Sequence, residues 1–312
     1  MTGRALLLLA LALLAVPDAR ADGPAAQGRA VEIRAQPVEV PAADLHRTVS
    51  QAGAWVLRAA DGAFGGFSAL EVRGDRLLAA SDRGHWLTAR LVEDDRDLTL
   101  AEGRLAPMLG ADGGSLAAAD AEALARAGED LVVAFERDHR LMRHAGGGAL
   151  ELLARPEGFA ALPGNAGIEA LAALPDGALL AIGEGRGPQG FPVFRIAPDG
   201  VVTRAHLPSR SRHDVTGAAL GPQGRLYVVF RHYSPATGVS IRLRRYHLDA
   251  AGLPRPDRVT ELASFESASG VDNMGAVALS PGPGGGTRLW LLSDDNFNAV
   301  QRTLLMRFDI AP

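Results

Sequence analysis

A unit of about fifty residues recurs five times along the 312-residue chain, and it restricts the fold more than any other feature. Each copy has a short polar-to-small-apolar start, a Gly- or Asp-containing turn, an apolar run of β type, and a polar or charged residue where that run stops. Residues 66–70 lead to 77–82, 120–124 to 131–136, 167–171 to 179–184, 214–218 to 226–231, and 273–277 to 289–294. The anchors Leu70, Leu124, Leu171, Ala218 and Val277 stand 54, 47, 47 and 59 residues apart. Turn pairs such as Gly74-Asp75, Asp176-Gly177 and Gln223-Gly224 join the two runs of a copy, as hairpins require. The Pro- and Gly-rich residues 281–286 lengthen the last turn and read as loop, since no strand-to-helix context and no Lys follows. Further strand-like stretches at 193–196, 241–246 and 304–308 bring most units to about four short strands.

Four-stranded antiparallel units at this period predict an all-β protein, a β-propeller whose sheets pack face to face around a channel. Residues 22–312 divided by the period give six blades, the sixth split between residues 31–34 and 55–58 and the final strands. A five-bladed ring with a long N-terminal extension is the alternative. The Ala-rich residues 115–127 are the one helix-like segment, or else a turn into the second unit.

Residues 1–21 carry Arg4, an apolar run at 5–16, Pro17 and Ala19-Arg20-Ala21, the pattern of an export signal with a small-x-small cleavage site. The expectation is a signal peptide over 1–21 and one domain over 22–312, in the periplasm or secreted, with no membrane span after cleavage. With no Lys and no Cys, Schiff-base chemistry, the GK[ST] phosphate loop, thiol nucleophiles, thiolate metal sites and disulfides are excluded. A net charge of −4 lacks the basic footprint of a nucleic-acid binder. A monomer acting on a small molecule is expected.

In a propeller, polar residues at equivalent positions of successive blades converge on one axis. The inner positions are Ser68, Glu122, Glu169, Thr216 and Gly275, and the second-strand ends are Asp82, Glu136, Glu184, Arg231 and Asp294. Carboxylates gathered around a pore repel, so they take up protons or bind a cation. Oxygen donors without Cys or paired His suit Ca²⁺ or Mg²⁺ better than zinc. The densest cluster is Ser293-Asp294-Asp295-Asn296-Phe297-Asn298, followed by Gln301-Arg302. Such Asp and Asn side chains can equally satisfy turn amides, and Glu136 and Arg231 can equally form inter-blade ion pairs. The eight histidines show no ligand spacing and read as surface or turn residues, and no G-x-S-x-G supports a Ser nucleophile.

Several of these stretches resemble the phytase-like proteins named for an "esterase-like activity of phytase". They are Phe64-Gly65-Gly66-Phe67-Ser68, Ser81-Asp82-Arg83-Gly84, Phe135-Glu136-Arg137-Asp138-His139-Arg140, Gly167-Ile168-Glu169-Ala170-Leu171, Asp272-Asn273-Met274, and the 293–298 cluster with Gln301-Arg302-Thr303-Leu304-Leu305. The resemblance runs from about Gly53 to Ile310 and implies a propeller, usually exported, with an ester or phosphate-ester hydrolase role. That family reads Asp-Asn-Met-Glu-Gly where this chain has Gly275, so one channel carboxylate is missing. The expected chemistry is metal-assisted ester hydrolysis. Asp294, Asp295, Asn296, Asp82 and Asp272 would ligate a divalent metal, most simply Ca²⁺; Glu169 or Glu122 would be general base, and Arg231 and Arg302 anion clamps. The alternatives are a non-catalytic propeller binding a ligand or protein around a structural Ca²⁺, and a lactonase-like propeller.

Overall fold

Short runs of Leu, Val and Ala closed by Gly turns form five antiparallel sheets among the residues described by the computed structural model, namely 24–94, 97–116, 120–145, 148–162 and 167–312. The expected export segment lies outside them. From the axis outward, blade one comprises Phe67–Arg73, Arg76–Ser81, His85–Asp94 and Asp97–Pro107, and blade two comprises Ala121–Ala127, Asp130–Phe135, Arg140–His144 and Leu150–Ala154. Blade three is Ile168–Ala173, Leu179–Gly183, Phe191–Ile196 and Val202–Leu207; blade four is Asp214–Gly221, Arg225–Ser234, Gly238–Leu248 and Pro254–Phe265. Blade five joins both ends of the chain, as Met274–Pro281, Thr287–Ser293, Thr303–Ile310 and Val49–Arg58.

The propeller therefore has five blades, not the six expected from chain length. Residues 55–58 belong to Val49–Arg58, which pairs with the last strand from Leu57↔Thr303 to Val49↔Ile310 and completes the fifth blade. The blades were overcounted for two reasons. Outer strands are long, 11 residues in Asp97–Pro107 and 12 in Pro254–Phe265. The N-terminal residues, in turn, form short edge strands instead of a blade: Arg29–Ala30 on blade one, Arg34–Pro37 on blade five and Asp44–Leu45 on blade four. These additions cover backbone that would otherwise be left open at sheet edges.

Apolar packing lies between blades, as strand alternation dictates when both faces of a sheet are covered. Trp55, Phe67 and Trp290 pack blade five on blade one, Trp86 and Phe135 blade one on two, and Phe159 and Phe194 blade two on three. Phe191, Phe230 and Tyr246 join blades three and four, and Phe265 and Phe308 join four and five, which closes the ring. The Ala-rich segment contributes Ala121–Ala127, an innermost strand, because small side chains let its backbone crowd the axis; tertiary pairing overrides the helix propensity of Ala. His144 and His213 are buried rather than superficial, and His213 meets Ser211 and Ser240 at 3.0 Å each. No helix among the described residues is long and apolar enough to cross a membrane.

Candidate functional site

Every innermost strand carries a β-bulge at the same place. The pairing with the second strand skips Ser68 in blade one, Glu122 in two, Glu169 in three, Thr216 in four and Gly275 in five. A bulged residue has no partner opposite, and the local kink re-aims its side chain. Two residues before each bulge stands Gly66, Asp120, Gly167, Asp214 or Asn273. The carbonyls of Gly66, Asp120, Gly167 and Asn273 accept the amides of Asp82, Glu136, Glu184 and Asp294 at 2.8–3.0 Å, and Asp214 pairs with Arg231. The two sets of repeat positions thus meet at one end of the axis.

There they surround a cavity of about 1000 Å³ whose lining includes Glu122, Glu169, Glu184, Arg231, Asp294 and Asn296. Beneath it Leu70, Leu124, Leu171, Ala218 and Val277 close the channel to about 10 Å³, so the anchors of the repeat form the floor of the site. Close approach of backbones helps: a Cβ on Gly217 would lie 2.1 Å from the Gly275 carbonyl oxygen, so only glycine fits between blades four and five.

The carboxyl groups hold their protons unusually tightly. Burial raises Glu169 to about 8, with Glu184, Glu136 and Asp120 adding repulsion and Arg231 opposing it. Burial also pushes Glu122 well above the ordinary range, reinforced by Glu169, Asp120 and Glu136. Burial raises Glu136, Glu184 and Asp82 in the same direction. Asp294 sits at about 6, raised by burial, with the Asn296 amide opposing and Asp82 and Asp295 adding to the rise. Arg231 lowers Glu169, Glu184 and Asp294 together and forms no ion pair among the described residues.

Of the residues expected to act, Glu169, Glu122, Arg231, Arg302, Asp294, Asn296 and Asp272 all line the cavity. Asp82 adjoins Asp294 but does not line it. Asp295 is engaged elsewhere: its carboxylate accepts hydrogen bonds from the Gly66 amide at 2.9 Å, the Phe297 amide at 3.1 Å and the Thr303 hydroxyl at 2.9 Å. Asn296 donates to Gln301 at 3.2 Å, and its amide donates to Asp294 at 2.6 Å. Arg302 donates to Asp272 at 3.2 Å and to the Gly270 carbonyl, so its guanidinium is closed off. The 293–298 cluster largely satisfies its own turn amides. Gly65 and Gly66 complete its seat, with φ of +138° and +62° and with Asp295, Asp82 and the Phe297 ring where side chains would stand.

Oxygen donors converge instead on blade two, on the far side of blade one. One carboxylate oxygen each from Asp120, Glu122 and Glu136 lies within 4.8 Å of the others. This all-oxygen set fits a hard divalent cation. Asp120 also takes Arg137 at 3.0 Å. It escaped notice in the sequence because its equivalents include Gly66 and Gly167; its place two residues before the bulge was the available signal.

The family model described as Phytase-like, esterase-like activity of phytase, matches residues 62–297. No curated protein matches the chain. Among solved structures, the chain is similar to the gluconolactonase XC5397 of Xanthomonas campestris, at 13% identity over 91% of this chain and 98% of that one, TM-score 0.44. It is also similar to the PQQ-bound aldose sugar dehydrogenase of Streptomyces coelicolor, at 14% identity over 86% and 100%, TM-score 0.40. A thermostable family-43 glycoside hydrolase gives 10% identity over 85% and 91%, TM-score 0.46.

Proposed function

Since the chain belongs to the phytase-like family named for an esterase-like activity, we propose that it hydrolyses an ester bond in the acidic cavity at the head of its channel. The observation that carries this reading is the bulge repeated in all five blades, which brings Glu122 and Glu169 to one wall with Arg231 close by. Glu169, protonated at neutral pH, donates a proton to the leaving oxygen, a role opposite to the base suggested by sequence. Asp294, ionised at neutral pH, accepts the proton of an attacking water; two carboxyl groups with separated affinities divide the acid and base work. Arg231 faces the negative charge that develops on the ester oxygen. A divalent cation, if held by Asp120, Glu122 and Glu136, would supply Lewis-acid polarisation at the same wall. Export to the periplasm or medium belongs to the same proposal.

The test is hydrolysis of a panel of aryl carboxylate esters, lactones, aryl phosphates and phytate by the purified chain, with Ca²⁺ and with chelator, beside Glu169→Gln. Turnover of one class, lost in the variant, is expected; undiminished turnover in Glu169→Gln removes that residue from the mechanism. A non-catalytic binding propeller has one observation in its favour, Gly275, which leaves one bulge without a side chain. It predicts Ca²⁺-dependent melting and no turnover across the panel.

A further inference from the structure

Resting on the ester-hydrolase reading, we propose that this cavity takes an uncharged, polyhydroxylated acyl ester or lactone and turns away multiply charged phosphate esters. The charge inventory points that way. Glu122, Glu169, Glu184 and Asp294 line the site with Glu136 beside them, and among the described residues Arg231 is the one lining cation that forms no ion pair. The neighbouring arginines are occupied: Arg302 by Asp272 and the Gly270 carbonyl, Arg137 by Asp120, and Arg186 by Asp214 at 3.0 Å. Arg83 lies 3.6 Å over the Phe297 ring. Phosphate recognition relies on several free cationic donors, and a lone guanidinium amid carboxylates does not provide them. One divalent cation would not invert the balance: Glu169 keeps its proton, and Glu122, ionised as a ligand, with Glu136, Glu184 and Asp294 would still outweigh the cation and Arg231 together.

The rest of the lining suits hydroxyl groups and an apolar ring face. Asn296, Asn298 and Gln301 bring neutral amides to the cavity. At its mouth stand Tyr233, 63% exposed, and Val300, 83% exposed, from blades four and five. Beside a polar pocket a phenol ring can stack on the C–H face of a sugar-like ligand while its hydroxyl stays in water. In the reaction, the water oxygen bonds to the acyl carbon and the bond from that carbon to the alcohol or ring oxygen breaks. The water's proton passes to Asp294, and the leaving oxygen receives the proton of Glu169. No redox partner is required.

The test uses a matched pair, D-glucono-1,5-lactone and its 6-phosphate, which differ only in the phosphoryl group. The full mature chain is expected to favour the neutral lactone by at least ~tenfold in kcat/KM, as like-charge repulsion requires. Glu184→Gln narrows that ratio, and Tyr233→Ala raises KM for the neutral lactone more than it lowers kcat. Equal or faster turnover of the phosphorylated lactone overturns the proposal. If neither lactone is hydrolysed, calorimetric titration with myo-inositol and with its hexakisphosphate decides separately. Binding of myo-inositol alone keeps the charge selection while the hydrolase reading falls, and binding of the hexakisphosphate, or of neither, overturns the selection itself.

Discussion

Glu169→Gln should remove a strong pH dependence from the stability of the fold. The carboxyl group binds its proton with an affinity near pH 8 when folded, against 4.5 as its ordinary value. Between those limits the folded state holds a proton that the unfolded chain has released, so stability falls as pH rises through the window. Below 4.5 both states are protonated, and above 8 both are ionised. Each pH unit is worth about 1.4 kcal/mol, which gives about 3 kcal/mol of lost stability by pH 7 and about 5 kcal/mol by pH 9. Gln carries no titration, and whatever it costs in packing is independent of pH. The readout is therefore the change in the stability difference between variant and wild type, measured by urea unfolding from pH 4 to 9 in chelator. The variant should gain on the wild type progressively through neutrality, with added relief because its charge no longer raises Glu122. A difference that stays constant from pH 4 to 9 would refute the argument that burial among carboxylates strains Glu169.

Other outcomes follow from the same geometry. Asp295→Ala removes the acceptor of three hydrogen bonds and should cost about 2–4 kcal/mol in denaturant unfolding, without any dependence on Ca²⁺. If Asp295 were a metal ligand, the loss would instead vanish in chelator. Ca²⁺ should raise the Tm of the wild type and leave that of Glu122→Gln unmoved, because the substitution breaks the oxygen triad; equal shifts in both proteins would place the cation elsewhere. Gly217→Ala should lose about 3 kcal/mol in scanning calorimetry, since its Cβ would lie 2.1 Å from a carbonyl oxygen. Gly275→Ala, whose Cβ would meet nothing nearer than 3.8 Å, should stay within about 1 kcal/mol of the parent.

The propeller and its converging positions were legible because hairpin turns and apolar runs repeat in register with the blades. The names Glu122, Glu169, Glu184, Arg231 and Asp294 came from that register alone, and all five line the cavity. Blade count was not legible: a period measures residues, and Asp97–Pro107 and Pro254–Phe265 use more of them per strand than blade three does. Local density of Asp and Asn also misled. Asp295 is where a carboxylate is needed to hold Gly66, Phe297 and Thr303, a demand that depends on a residue 229 positions away in sequence. Asp120 was overlooked because its equivalents include Gly66 and Gly167, and only the hairpin register brings its carboxylate to that of Glu136.

The closure of the fifth blade sets an order on how the molecule can be built. Val49–Arg58 leaves the ribosome before every other blade strand, yet one of its edges pairs only with Thr303–Ile310, which leaves after all of them. Blades two, three and four can assemble from contiguous chain while that early strand waits with backbone donors and acceptors unpaired. The entropic cost of such a closure grows slowly with loop length, so the burden falls on time and on exposure to wrong partners rather than on final stability. A circular permutant that starts within the loop after Arg58 and joins Ile310 to Val49 through a short connector would give up the N-terminal edge strands, yet it would turn the most distant pairing in the molecule into a local hairpin and fold without that wait.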